Sequence, residues 1–213
     1  MNLIYVADPM CSWCYGFGVT LDALLTAPGD AAPLQLAIVM GGLRPFTKEP
    51  LDPARADEIA GHWRHVAEAT GRPFADGPQS ALRAPGFVYD TEPASRAVVT
   101  VRHLAPRLTW RYLEAVQHAF YAGARDVTQA DVLADVAENL GLQRADFARA
   151  FASEPMRAAT LRDFTQTHEW GIRGFPALLA EHDDHLHLVT HGHVPIDTLR
   201  ERLAGVATAH GPA

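Results

Sequence analysis

The spacing of apolar residues changes its period twice along the chain, and that double change restricts the folds open to it. Leu3 to Ala7 is a short apolar run of strand formers that stops at Asp8-Pro9. From Ser12 the pattern turns helical, with Leu21, Leu24 and Leu25 at i, i+3, i+4 spacing, and Pro28-Gly29 ends it. Leu34 to Met40 is a second apolar run, closed by Gly41-Gly42. Together these segments predict a strand–helix–strand unit with parallel strands and a right-handed crossover.

Helical signals then dominate. They cover Leu51 to Thr70, a start at Thr91-Glu92-Pro93 with a cap-type residue and an early proline, and Trp110 to Tyr121 with Leu113, Val116 and Phe120 on one face. A further segment opens at Thr128 with Asp131 three residues on, turns Val132, Val136 and Leu140 inward and stops at Gly141. Phe147 and Phe151 mark a short helix, and Met156 to Glu169 another. After Gly174-Phe175-Pro176 the period returns to two: Ala177 to Ala180 and His185 to Val189 read as a hairpin across Asp183-Asp184. Ile196, Leu199 and Leu203 face inward from a last helix, and the polar tail after Gly205 is expected to fray.

The 213 residues suffice for one core fold carrying an insertion. A net charge of −7 without Lys or Arg runs argues against nucleic acid as a partner. No apolar stretch approaches the roughly 18–20 residues that span a bilayer. The opening Met1-Asn2-Leu3-Ile4-Tyr5 lacks the features of a secretory signal, so a cytoplasmic location is expected.

Only two cysteines occur, in Cys11-Ser12-Trp13-Cys14, at the predicted strand-to-helix junction. One helical turn brings such a pair within bonding distance, and the free N–H groups and partial positive charge of a helix start favour a thiolate at Cys11. Cys11 then reads as the exposed nucleophile and Cys14 as the shielded resolving thiol. Three other readings stay open: a zinc site completed by histidines, a structural disulfide, and two inert core thiols. The histidines His182, His185, His187, His191 and His193 admit a metal reading, since His185 and His187 share a strand face, and equally an ordinary solvated face; no metal is assigned.

The run Asp8-Pro9-Met10-Cys11-Ser12-Trp13-Cys14-Tyr15-Gly16-Phe17 resembles the active-site segment of the DsbA-like proteins, in their cytosolic branch described as protein-disulfide isomerases. Gly41-Gly42-Leu43-Arg44-Pro45, Tyr89 to Ala94 and Gly171 to Ala177 are also similar to that branch, in the same order. The resemblance implies an α/β thioredoxin fold with a large all-helical insertion: residues 1–48 plus 172–213 as the thioredoxin-like domain, 49–171 as the insert. It implies thiol–disulfide exchange by Cys11 and Cys14 with protein or small-molecule thiol and disulfide substrates. No cofactor is implied beyond glutathione as a candidate redox partner, and the oligomeric state stays open. It also implies a cis peptide before Pro176, which would offer the backbone of Phe175 to substrate as a strand-like edge.

Ser12, Trp13, Phe175, Pro176 and Thr91 are the candidate substrate-binding residues beside the two cysteines, Thr91 because the insertion helix starts near the active site in related transferases. Trp13 reads equally as a substrate platform or as filler of the groove mouth. Where thioredoxins often carry a buried acid that serves the resolving thiol, this chain has Tyr5. Glu92 or Asp90 is a candidate substitute, with helix capping as the plainer reading of both. Ser12-Trp13 lacks the histidine of strong oxidants, which points to a reductase or isomerase. Two other functions remain open: a glutathione-dependent kappa-type transferase or hydroxychromene-carboxylate isomerase, and a non-catalytic adaptor.

Overall fold

The computed structural model describes residues 1–26 and 34–208. Strand β1 (Asn2–Ala7) leads through the Asp8-Pro9 turn into helix α1 (Ser12–Thr26), and β2 (Gln35–Met40) returns beside β1. The two strands pair in parallel, from Asn2 against Gln35 to Ala7 against Met40. The expected stop at Pro28-Gly29 lies outside the described residues.

Five long helices and one short one follow: α2 (Pro53–Thr70), α3 (Glu92–Leu104), α4 (Thr109–Tyr121), α5 (Ala130–Asn139), α6 (Arg144–Phe151) and α7 (Glu154–Glu169). The chain then re-enters the sheet as a hairpin, β3 (Ala177–His182) and β4 (His185–His191), and ends in α8 (Ile196–Thr208). The sheet order is β2-β1-β3-β4, with β3 antiparallel to both neighbours. Asp183 and Asp184 both adopt positive φ, as a tight two-residue hairpin turn requires. This is the expected strand–helix–strand, helical insert, hairpin, helix. Helix α8 runs on to Thr208, past the Gly205 where fraying was expected, and residues 209–213 lie outside the described residues.

Three helix starts differ from expectation in their detail. Helix α2 begins at Pro53 rather than Leu51, because proline fits the first helical position and Asp52 Oδ1 accepts from the N–H groups of Ala54 and Arg55. Thr91 precedes α3, but Asp90 Oδ1 accepts the Glu92 N–H instead of the Thr91 hydroxyl. Helix α5 starts after Gln129, and Thr128 bonds Asp126 rather than capping the helix.

Both faces of the sheet are covered, which is why β1 is continuously apolar. Leu3, Tyr5 and Ala7 point into the main core with α1 and the helical insert, while Val6 packs with Ile172, Ala177 and Leu179 on the other face. At the β2 edge, side chains of α3 and α7 take up the backbone groups. Asp163 accepts the Met40 N–H at 2.9 Å, Thr167 donates to the Met40 carbonyl, and Arg102 donates to the Ile38 carbonyl while paired to Asp163. A sheet edge satisfied in this way is closed to further strands.

Candidate active site

The C-terminal end of β1 determines where the cysteines lie. The Cys11 carbonyl accepts the first helical N–H of α1, from Tyr15, so Cys11 occupies the cap position and Cys14 the third position of the helix. Serine or aspartate at a cap accepts an N–H of the first turn. Here the sulfur takes that part, and the Cys14 N–H donates to Cys11 Sγ at 3.4 Å. The donor is aimed at the atom on which negative charge sits in a thiolate.

From the opposite side comes the segment before β3. The Phe175–Pro176 peptide is cis, and the Phe175 carbonyl oxygen lies 3.5 Å from Cys11 Sγ. Residues 164 positions apart thus meet at the sulfur. Cys11 keeps 7 % of its surface and Cys14 none. The order of exposure is the expected one, but the Phe175 backbone leaves Cys11 more covered than the term exposed nucleophile implies. Both cysteines are free thiols. Burial pushes the Cys14 thiol well above its ordinary range, the nearby Cys11 adds to this, and the Asp8 backbone N–H works against it.

The buried acid of this site is Asp8. It has no exposed surface; its Oδ1 accepts the Met10 N–H at 2.8 Å and its Oδ2 the Leu43 N–H at 2.7 Å. Burial raises it to about 6, against the opposing pull of the Leu43 and Met10 amides and the Thr91 hydroxyl. Asp8 in turn acts electrostatically on Cys14. In the sequence alone Asp8 reads as half of a turn. Its signal there is a carboxylate three residues before the first cysteine, which the turn folds back beneath the helix start.

The other two candidate acids, Glu92 and Asp90, have other partners. Glu92 is ion-paired with Arg96 inside the insert, and Asp90 accepts from Phe46 and Glu92 N–H groups. Tyr5 is fully buried and donates to the Cys14 carbonyl at 3.2 Å, and burial pushes its hydroxyl well above the usual range.

Ser12 and Trp13 are half-buried in the first turn of α1. The Trp13 ring is flanked by His193, stacked at 5.8 Å, and His65, edge-on at 5.6 Å. Phe175 is half-buried and Pro176 buried. The structure therefore gathers Cys11, Cys14, Ser12, Trp13, Phe175 and Pro176 at one sheet end. Thr91 lies beneath this group, fully buried, with its hydroxyl accepting the Arg44 N–H and bonded to Asp8. Thr91 thus supports the Asp8 carboxyl and the Arg44 loop. Of the histidines, His193 reaches the site through Trp13, while His185 and His187 lie on β4 with rings 6.4 Å apart. Among the described residues no three His, Cys, Asp or Glu side chains are grouped to hold a metal ion.

A four-stranded sheet with this order, a cysteine pair at the first helix start and a cis-proline segment facing it define a thioredoxin-fold protein of the thiol–disulfide oxidoreductase class. A model of the DSBA-like thioredoxin domain matches residues 2–204, and the chain belongs to that family. Among solved structures it is similar to a Nitrosomonas europaea protein proposed to be a protein disulfide isomerase. The two are 38 % identical, with a TM-score of 0.89 and coverage of 99 % of this chain and 98 % of the other. It is also similar to the cytosolic disulfide reductase DsbM of Pseudomonas aeruginosa, at 27 % identity and a TM-score of 0.79, over 98 % of this chain and all of the other (100 %). A 2-hydroxychromene-2-carboxylate isomerase shares the fold, at 17 % identity and a TM-score of 0.65, over 99 % and 95 % of the two chains. A comparison with curated protein sequences finds no significant match.

Proposed function

We propose that the protein is a cytosolic dithiol oxidoreductase that reduces or isomerises disulfides of protein or small-thiol substrates, with Cys11 as nucleophile and Cys14 as resolving thiol. The observation that carries this reading is the placement of Cys11 Sγ between the Cys14 N–H, at 3.4 Å, and the Phe175 carbonyl, at 3.5 Å. One contact supports charge on the sulfur; the other offers a backbone edge against which a substrate strand can align.

In the forward direction the Cys11 thiolate attacks one sulfur of a substrate disulfide, forms a mixed disulfide and releases the other half as thiolate. Cys14 then loses its proton and attacks Cys11 Sγ, the second substrate thiolate leaves, and the Cys11–Cys14 bond remains. The substrate gains two electrons and the protein loses them. An external thiol, for which glutathione is the candidate, restores the pair. The Pseudomonas relative is also described with glutathione. Asp8, with a carboxyl near 6, is ionised at neutral pH and is the buried base for Cys14.

The reductive direction is supported by Ser12-Trp13 between the cysteines, which brings no cation to the thiolate, and by the reductase description of DsbM. The potential is expected well below the about −120 mV of a strong oxidant, as equilibration with glutathione would measure.

Insulin reduction by the wild type, Cys11→Ser and Cys14→Ser tests the reading. Turnover is expected in the wild type and its loss in both variants. Glutathione transfer undiminished in Cys14→Ser would favour the transferase reading. Absence of thiol turnover in a wild type that retains a protein partner would favour the adaptor.

A further inference from the structure

The loop between β4 and α8 touches both halves of the site. Gly192, with φ of 96°, donates its N–H to the Pro176 carbonyl at 2.7 Å and so holds the cis-proline segment. His191 fills the space over Gly174, where a Cβ would stand 3.1 Å from its Nε2. On the other side, Thr20 of α1 donates its hydroxyl to the Val194 carbonyl at 3.2 Å. Between these anchors His193 lies on α1 itself. Its ring stacks on Trp13 at 5.8 Å and 25°, and meets Phe17 edge-on at 6.1 Å and 84°. Residues 191–194 thus join the segment that faces Cys11 to the helix that begins at Cys11.

The His193 ring is held by its plane and not by its nitrogens. Its Nδ1 is buried and has no hydrogen-bond partner among the described residues. Burial also keeps the imidazole below its ordinary range, so the ring is uncharged at neutral pH. A nearly parallel, neutral ring at this distance is the geometry of offset aromatic stacking. Trp13 is the largest side chain in the first turn of α1 and lies between the two cysteines, with His65 of α2 edge-on at 5.6 Å. We infer that His193 is a positioning residue for thiol exchange: it holds the Trp13 indole against the β4–α8 loop and so keeps the approach to Cys11 Sγ open. The inference rests on exchange at Cys11 and concerns its first step. In that step Cys11 Sγ bonds one sulfur of a disulfide and the other sulfur leaves as a thiolate. An indole freed from its partner spends less time in the open position, and the rate falls in proportion.

The test is the rate at which Cys11 forms a mixed disulfide with dipyridyl disulfide, read from the coloured thiopyridone released. It is measured with Cys14→Ser as the parent, where the reaction stops after the first step. His193→Ala should slow release about fivefold, the size of one stacked aromatic pair. His193→Phe keeps a neutral ring and should restore the parent rate. Its urea midpoint should lie at or above that of the parent, because the unpartnered Nδ1 is gone. With Trp13→Ala already in place, His193→Ala should change the rate no further, since the effect passes through the indole. Three results would each overturn the inference while leaving exchange at Cys11 intact: an unchanged rate in His193→Ala, no recovery in His193→Phe, or an equal loss in the Trp13→Ala background. A parent inert to dipyridyl disulfide would overturn the exchange reading beneath it.

Discussion

Asp8 joins the two halves of the site. Its carboxylate oxygens hold the Met10 amide just before Cys11 and the Leu43 amide after β2, and it is charged or neutral according to pH in the range where thiol exchange operates. Because burial raises this acid from 3.8 to about 6, folding favours its protonated form. Its contribution to stability is therefore complete below about pH 4 and is lost as pH rises through 6, by on the order of 3 kcal/mol. Asp8→Asn removes that dependence. It also leaves one of the two amides without an acceptor, at a cost of about 1–3 kcal/mol at every pH. Urea unfolding at pH 4 and pH 7 is expected to show the wild type losing stability relative to Asp8→Asn on going to the higher pH; a constant difference between them would contradict the assignment. The Cys14 step should respond too, with slower closure of the Cys11–Cys14 disulfide in the variant above pH 6.

Among the elements, α1 holds Cys14, starts at Cys11 and is clamped from several sides. It packs against α2, α4 and α8, and its contact with α2 is close enough to exclude a side chain at Gly16. A Cβ there would stand 2.8 Å from Thr70 Cγ2 and 2.9 Å from Val66 Cγ1, both on α2. Gly16→Ala is expected to cost about 1–3 kcal/mol through overpacking, despite the better helix propensity of alanine. The urea midpoint should fall accordingly; a midpoint at or above that of the wild type would show that the α1–α2 contact yields freely. Helix α7 has a different task, since Asp163 and Thr167 hold the backbone of Met40 at the end of β2, next to the Gly41-Gly42 pair. The element that closes the sheet edge thereby also sets one wall of a cavity beside Phe175.

Over the whole molecule, what could be read from the chain is what short-range pattern controls. The apolar periods mark the strands and most helices, and two cysteines three apart after a strand mark the candidate site. Contacts between distant segments were not legible. Asp8 looks like a turn residue until Leu43 is folded onto it. Thr91 looks like a cap until Asp90 takes the Glu92 N–H and the hydroxyl is left for Arg44 and Asp8. The cavity beneath Phe175 depends on rings that meet glycines more than 120 positions away. Helix termini shifted for local reasons that the sequence did contain, as at Asp52-Pro53. Mass spectrometry of acid-quenched mixtures of single-cysteine variants with a substrate disulfide distinguishes attack by Cys11 and resolution by Cys14 from the reverse. Cys14→Ser is expected to accumulate a mixed disulfide mapped to Cys11, whereas Cys11→Ser should yield none at Cys14. An adduct on Cys14 in the second variant, or none on Cys11 in the first, would rule these two roles out.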